Sequence, residues 1–350
     1  MTLAIAGRTI GADQPPYIIA ELSANHNGKL DTALRIVEAA KKAGADAVKL
    51  QTYTADTITL KADSEDFRIH GGLWNGRTLY DLYQEAHLPW DWHEALFAHA
   101  RKLGITMFSS PFDTTAVDLL EKLGAPAYKI ASFEAIDLPL IRYVAATRKP
   151  MIISTGMAST EEIDEAVAAA RDGGCRELAL LHCVSGYPAP AAEYNLRTIP
   201  DMQRRFGVVI GLSDHTLDNT TAVASIAMGA ALIEKHFTLD RTGGGPDDSF
   251  SLEPAELAAL CRDTKTAWSA LGQVDYSRAP SEQANVKFRR SLYFVKDLAA
   301  GTVITADAVR SVRPGYGLAP KLLPRVVGRK VKVAVARNTP VTAAVIDGPV

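Results

Sequence analysis

Hydrophobic and polar positions along this chain change period repeatedly. Between Tyr17 and Leu271, short aliphatic and β-branched runs alternate about eight times with segments whose apolar positions recur every three or four residues. The short runs predict strands over 17–22, 46–51, 105–109, 127–131, 150–154, 177–182, 207–212 and 231–236. The longer segments predict helices over 30–43, 91–103, 114–123, 137–147, 160–172, 195–205, 218–228 and 254–271. Leu30, Ala33, Leu34, Val37 and Ala40 line one helical face before Gly44 ends it. Ser159 or Thr160 is placed to cap the helix opening at Thr160-Glu161-Glu162. Alternating strands and helices imply a parallel sheet. Eight such units in ~255 residues imply closure into a (β/α)8 TIM barrel, an α/β fold.

The predicted strands end alike, in polar residues. The first runs into Glu21-Leu22-Ser23-Ala24-Asn25-His26-Asn27-Gly28, the second into Lys49-Leu50-Gln51, the fourth into Lys129-Ile130-Ala131-Ser132. Others end in Ser154-Thr155-Gly156, His182, Ser213-Asp214-His215 and Glu234-Lys235-His236. Side chains gathered at strand C-termini are how a parallel barrel builds a site.

Two stretches break the pattern. Residues 52–90, after the second strand, exceed an ordinary loop. They hold Trp74, Trp90 and a predicted short helix at Leu79–Ala86, and leave from the site end, so they read as a lid or substrate wall. After Leu271 the helical period is lost. We expect the barrel to span 1–275, a polar linker 276–288, and a small β-rich module 289–350 with strands near 291–295, 302–304 and 330–334.

Composition narrows the class. The 350 residues are 47% hydrophobic with a formal charge of −2, as for a globular protein with a sizeable core. No apolar run approaches the ~20 residues that span a bilayer, and no secretory leader is visible. Cys175, Cys183 and Cys261 lack close-spaced pairing, which fits a reducing compartment. A cytoplasmic location is expected, without membrane contact. From Tyr276 onward 13 Lys and Arg stand against four acids, which leaves the remainder strongly acidic. The basic tail lacks the aromatic interleaving of a single-strand nucleic-acid binder, so docking on an acidic protein surface or an anionic substrate is the better expectation.

His215 and His236 come from adjacent strand ends and could share one divalent metal. Lys49 and Lys129 sit inside strand patterns, where a lysine needs an anionic partner. That partner is either a doubly anionic ligand or Glu21 and Glu234. Ser132, Ser154 and Ser213 add hydroxyl donors. Glu21, Glu134, Glu234 and Asp247 form an acid/base set. Asn25, His26 and Gln51 could bind a sugar or order the site, and His182 reads equally as a core histidine. Gly243-Gly244-Gly245 has no P-loop spacing and reads as a flexible loop.

Taken together, Ala20-Glu21-Leu22-Ser23-Ala24-Asn25-His26-Asn27-Gly28, Lys49-Leu50-Gln51-Thr52, Lys129-Ile130-Ala131-Ser132, Gly211-Leu212-Ser213-Asp214-His215 and Ile233-Glu234-Lys235-His236-Phe237 resemble the sialic acid synthase family, over nearly the whole chain. The tail resembles its antifreeze-like (SAF, β-clip) domain, with Arg313-Pro314-Gly315 at a substrate-contacting turn. The resemblance implies condensation of phosphoenolpyruvate with an N-acylated amino-sugar aldehyde. It implies a metal on His215 and His236, Mn2+ foremost, with Mg2+ or Co2+ as alternatives. Phosphoenolpyruvate would meet Lys49, Ser110, Lys129, Ser132, Ser154 and Ser213. Tyr187 joins Asn25 and Gln51 as a substrate contact. A homodimer is implied, in which Arg313 reaches the partner's site.

Leu73-Trp74-Asn75-Gly76 and Pro89-Trp90-Asp91-Trp92-His93 resemble the branch that makes pseudaminic acid from 2,4-diacetamido-2,4,6-trideoxy-L-altrose. His182-Cys183-Val184-Ser185-Gly186-Tyr187-Pro188 departs from the N-acetylneuraminate branch, which has a phosphoenolpyruvate-binding asparagine where Ser185 stands, so that Ser185 is expected as a substrate contact, and threonine where Ser110 stands. The nearest alternatives are N-acetylneuraminate or legionaminate formation. A remote one is an inactive barrel that binds sugar or nucleic acid.

Overall fold

The structure is a computed structural model that describes residues 1–350. It divides into two compact units, Met1–Gly272 and Gln273–Val350.

The first unit opens with a hairpin, β1 (Leu3–Ile5) against β2 (Arg8–Ile10), that sequence periodicity did not predict. Eight parallel strands then close a barrel: β3 (Tyr17–Glu21), β4 (Ala47–Thr52), β5 (Thr106–Pro111), β6 (Tyr128–Ile130), β7 (Met151–Ser154), β8 (Leu178–Cys183), β9 (Val209–Ser213) and β10 (Leu232–His236). β10 pairs with β3, so no edge remains. The eight outer helices are Leu30–Ala43, His93–Leu103, Thr114–Leu123, Leu138–Ala145, Thr160–Asp172, Thr198–Phe206, Thr220–Ala227 and Pro254–Leu271. Ser159 caps the fifth, accepting from the amide of Glu162, whose carboxylate returns to the Ser159 amide.

Side chains alternate across each strand, so every second residue enters the barrel. At the N-terminal end these inner residues are apolar: Tyr17, Ile19, Ala47, Phe108, Ala127, Ile152, Ala179 and Leu232 form one buried cluster. Leu3, Ile5 and Ile10 of the hairpin join it and plug the barrel floor. Ile5 is fully buried there, a burial that contributes ~1.5–3 kcal/mol. Two residues further along the same strands the inner face turns polar, with Glu21 above Ile19, Lys49 above Ala47, Lys129 above Ala127, Ser154 above Ile152 and Glu234 above Leu232. The floor is apolar packing and the upper layer gathers the barrel's polar groups.

The long connection after β4 carries a short helix, Leu79–Ala86, as predicted, with Thr78 accepting from the amide of Asp81 as its cap. His26 ties this segment to the barrel: its Nδ1 accepts from the Gly28 amide at 3.0 Å and its Nε2 donates to the Ala86 carbonyl at 3.3 Å. Of the two roles open to His26, ordering is the one its hydrogen bonds serve. No helix is long and apolar enough to cross a membrane.

In the second unit β11 (Ser291–Phe294) pairs antiparallel with β12 (Val309–Val312). The pairing corrects the sequence expectation. Val309–Val312 was not expected as a strand, while 302–304 and 330–334 contribute only the isolated bridges Val303–Lys330 and Val331–Ile346. Residues 280–288, expected within a polar linker, form a 3-10 run. Leu292, Phe294, Ile304, Val326, Val331, Val341 and Ile346 make a separate core. Arg313 is exposed on the turn after β12. Ser291 staples that turn, donating to the Pro314 carbonyl at 2.7 Å and accepting from the Gly317 amide at 2.9 Å.

Candidate active site

Four charges fill the upper layer of the barrel. Lys49 Nζ lies 2.8 Å from Glu21 Oε2 and 3.4 Å from Glu234 Oε1, and Lys129 Nζ lies 3.3 Å from the same Glu234 oxygen. All four are buried. The carboxylates therefore do neutralise the lysines internally, one of the two partners the sequence allowed. Burial opposes the charge on Lys49, but Glu21 and Glu234 outweigh it and hold its pKa above the ordinary value. Burial wins at Lys129, which is pulled down because Glu234 only partly offsets it and Lys49 repels it. Glu234, despite burial, is held low by the two lysines. Glu21 is pushed up by burial, with Lys49 opposing.

Hydroxyl and amide groups surround this core. Lys49 donates to Ser110 Oγ at 3.3 Å and Ser213 Oγ donates to Glu234 Oε1 at 3.3 Å. Gln51 Nε2 donates to Glu21 Oε1 at 3.1 Å and to Ser23 Oγ at 3.2 Å. Ser23 in turn donates to Asp247, whose carboxyl is pushed up by burial. Asn25 spends its amide nitrogen on the Phe237 carbonyl (2.9 Å) and Ser251 Oγ (2.8 Å), which leaves only its oxygen without a protein partner.

Beside the charges lies a cradle. Gly156 follows β7 with φ +31°, and a Cβ there would stand 2.5 Å from Ser132 Cβ and 2.6 Å from Ser185 Oγ. The bare backbone thus lets the ends of β6, β7 and β8 converge. Ser154 Oγ and Ser185 Oγ are buried without a protein partner. So is Glu134 Oε2, and burial raises that carboxyl to about 7. Buried polar oxygens left unpaired are costly unless something binds them.

The two candidate metal histidines meet edge-on, ring centroids 5.4 Å and planes 65° apart. His215 donates from Nδ1 to the Val184 carbonyl at 2.8 Å, which directs the Nε2 lone pair away from that carbonyl. His236 Nδ1 is buried with no hydrogen-bond partner, and burial followed by His215 depresses its pKa well below the usual range, so the ring is neutral. Tyr187 packs on both rings, at 4.4 Å from His215 and 6.0 Å from His236, with Trp74 of the long connection behind it at 6.0 Å. Trp74 Nε1 donates to the Pro246 carbonyl at 3.1 Å, which fastens the connection across the mouth.

Three features escaped the sequence reading. Cys183 sits between Ser132 Oγ (3.5 Å) and His215 Nδ1 (4.0 Å); burial raises its thiol, but His215 outweighs that and brings it down to about 7. Its signal was the two-residue step from Leu181 on the inner face. Gly243 and Gly245 are not loop flexibility, as expected, but close approach: side chains there would strike Asp248 and Asn27. Asp248 Oδ2 accepts from the Gly245 amide (2.8 Å) and Asn27 Nδ2 (3.0 Å), knitting the loop shut. His182 hydrogen-bonds the Tyr194 carbonyl, the core-histidine reading. Lys235 is the third.

Comparison with known proteins follows the same outline. The NeuB family profile matches residues 36–276 and the SAF domain profile residues 289–346. The chain is 44% identical over 318 residues to the pseudaminic acid synthase of Campylobacter jejuni, spanning 91% of this chain and 93% of that protein. It is 41% identical over 335 residues to the pseudaminic acid synthase of Helicobacter pylori, spanning 95% and 98%. Its fold is similar to the crystal structure of N-acetylneuraminic acid (sialic acid) synthetase from Leptospira borgpetersenii in complex with citrate. That likeness has a TM-score of 0.73 at 31% identity, over 82% of this chain and 95% of that one. With a family profile over most of the barrel, relatives of matching length, and a barrel whose strand ends carry its charged residues, the chain belongs to the NeuB family.

Proposed function

We propose that this protein condenses phosphoenolpyruvate with 2,4-diacetamido-2,4,6-trideoxy-L-altrose and water to give pseudaminic acid and phosphate. The observation that carries the reading is one barrel mouth holding both a histidine pair in edge contact, His215 buried and His236 nearly so, and two buried lysines beside a hydroxyl-lined cradle. The branch assignment draws on the 44% identity to the Campylobacter jejuni enzyme and on Trp74 walling the mouth.

Charge supports a metal. Glu21, Glu234, Lys49 and Lys129 sum to zero, whereas phosphoenolpyruvate brings a phosphate of about −2 and a carboxylate. His215 and His236 fit a divalent ion, since His236 Nδ1 has no hydrogen-bond partner and His215, with Nδ1 committed to the Val184 carbonyl, keeps Nε2 for a ligand. No third His, Cys, Asp or Glu completes a cluster with them, so substrate oxygens or water would fill the remaining positions. When bound, such an ion supplies Lewis-acid polarisation of an aldehyde oxygen.

The chain's own groups do the rest. Lys49 and Lys129 hold the anionic groups of phosphoenolpyruvate, and Ser110, Ser132, Ser154, Ser185 and Ser213 orient them. The methylene carbon bonds to the aldehyde carbon. Water adds at the enol carbon, and the C–O bond to phosphate breaks with lysines and hydroxyls stabilising the departing anion. Glu134, poised near neutrality by burial, is the best placed of the four carboxyls to move a proton. Glu21 and Glu234 keep the lysines charged, and Asp247 holds Ser23 and, through it, Gln51. Tyr187 and Trp74 offer the sugar an apolar wall.

We extend the reading to a homodimer in which Arg313 of one subunit contacts the acyl group at the partner's mouth. Sedimentation as a monomer under assay conditions would remove that part alone.

The decisive assay is phosphate release from phosphoenolpyruvate with Mn2+. The acceptors are the altrose derivative, N-acetylmannosamine and 2,4-diacetamido-2,4,6-trideoxymannose. Turnover is expected with the altrose derivative, lost on chelation and restored by Mn2+, Mg2+ or Co2+. Preference for either mannose-type acceptor moves the enzyme to the N-acetylneuraminate or legionaminate branch. Silence with all three in metal-replete protein overturns the catalytic reading.

A further inference from the structure

Lys235 lies between two inward-facing residues of β10, Glu234 and His236, so alternation turns it outward into the layer between strands and helices. The neighbouring outward residues are Leu212 and Ile233, both in the apolar cluster of that layer. A lysine in this layer is out of place, and it is almost completely enclosed. Its Nζ donates to Asp214 Oδ2 at 2.8 Å, the Thr216 carbonyl at 2.7 Å and the Asp218 carbonyl at 2.8 Å, with Thr216 Oγ1 at 3.4 Å. The Asp214 side chain is fully buried as well. A buried ion pair is a weak stabilising device, because desolvation cancels much of its Coulomb energy and an apolar pair would often serve as well. Its placement invites another explanation.

That explanation lies in what the ammonium grips. β9 ends at Ser213, and the chain continues as the irregular segment Asp214–Asp218 that carries His215. Lys235 binds the residue before His215, the residue after it, and Asp218, while being itself the residue before His236. Asp214 adds a second hold, Oδ1 accepting from the Thr216 amide at 2.9 Å, and its own amide donates to the Glu234 carbonyl at 2.9 Å. Other bonds hold the same segment: the His215 amide donates to the Tyr194 hydroxyl at 2.6 Å, and its carbonyl accepts from the Ala189 amide at 3.1 Å. Of these holds, the Asp214–Lys235 pair is the clamp that ties the His215 segment to the strand carrying His236.

We propose that the Asp214–Lys235 pair is a positioning device that sets the separation of His215 and His236 and so determines divalent-metal affinity. The inference rests on the metal reading above. It names residues that touch neither substrate nor metal and act through the two histidines.

Mn2+ binding to the full-length protein tests it, followed by the electron paramagnetic resonance signal of the free ion, alongside thermal melts. The variants are Lys235→Met and the pair Asp214→Asn with Lys235→Met, the latter leaving no buried charge unpaired. Both are expected to weaken Mn2+ binding by roughly 10- to 100-fold, the usual effect of removing residues that orient metal ligands. The Mn2+ concentration for half-maximal turnover should rise in parallel, while kcat at saturating Mn2+ recovers most of its value. A purely structural pair would lower the melting temperature and leave metal affinity alone. A folded double variant that binds Mn2+ as wild type does overturns the clamp but spares the metal site. Wild-type protein that binds no Mn2+ overturns both. Should the Met variants not fold, Asp214→Asn alone carries the same comparison, because Lys235 keeps its two carbonyl acceptors.

Discussion

Gly156→Ala is expected to cut the use of phosphoenolpyruvate by on the order of 10²-fold or more while leaving the barrel folded. The new methyl would enter space already held by Ser132 and Ser185, at 2.5 and 2.6 Å. The φ of +31° adds backbone strain for any residue with a Cβ. Relief requires the ends of β6 and β8 to move apart, and displacements of that size cost on the order of 10²-fold or more in a positioned reaction. The strain falls on loops at the barrel mouth, away from the apolar floor around Ile19, Phe108 and Ile152, so the melting transition should change little. Steady-state kcat/KM for phosphoenolpyruvate, with a thermal melt alongside, decides it. A folded variant within about threefold of wild type would mean that the cradle is not where the anion sits.

Glu134→Gln should give the second large effect, a fall in kcat of roughly 10²- to 10⁴-fold, the usual worth of a positioned proton-transfer group. Burial lifts this carboxyl from an ordinary 4.5 to about 7. The wild-type pH–rate profile should therefore bend near pH 7, and the bend should vanish in the variant. A limb rising through pH 7 assigns Glu134 as a base and a falling limb as an acid. The same residue carries a stability signature of opposite sense. Its folded-state pKa lies above the unfolded value, so its contribution is full below about pH 4.5 and lost as pH rises through about 7. Glutamine cannot ionise. The variant should thus be more stable than wild type at pH 8, by ~3 kcal/mol at most, and no more stable below pH 4.5. An unchanged profile and an unchanged melt at pH 8 would together remove Glu134 from the chemistry.

Both predictions concern a layer whose membership could be read from sequence and whose wiring could not. Glu21, Lys49, Lys129, Ser154 and Glu234 were found because each interrupts or ends an apolar strand, a signal that local period-two patterning carries. That Lys129 meets Glu234, 105 residues away, was not in that signal. Glu134 and Asp247 looked equivalent as loop carboxylates. Folding separated them, giving Asp247 the hydroxyl of Ser23 and leaving one Glu134 oxygen buried without a partner. Gly156 closed a strand-end run and the glycines at 243 and 245 read as a flexible loop, and only the neighbours brought against them show that a side chain would collide.

The misses share a cause. β1 and β2 are three residues each, too short to display a period, yet they supply the barrel floor. The second unit relies on four-residue strands and single bridges, so its pairing rests on contacts between distant segments. Lys235 was passed over because the sequence marks a lysine in a strand without saying which face it takes or what it will grip. The sequence by itself determined the alternation, hence the closed parallel barrel and the residue types ringing its mouth, because these follow from short-range periodicity and strand direction, while the family showed in the ordered motif blocks that resemble it. Tertiary structure alone decided which charges pair, which oxygens stay free, how far apart the two histidines stand and what seals the floor, because each depends on distances between residues far apart in the chain.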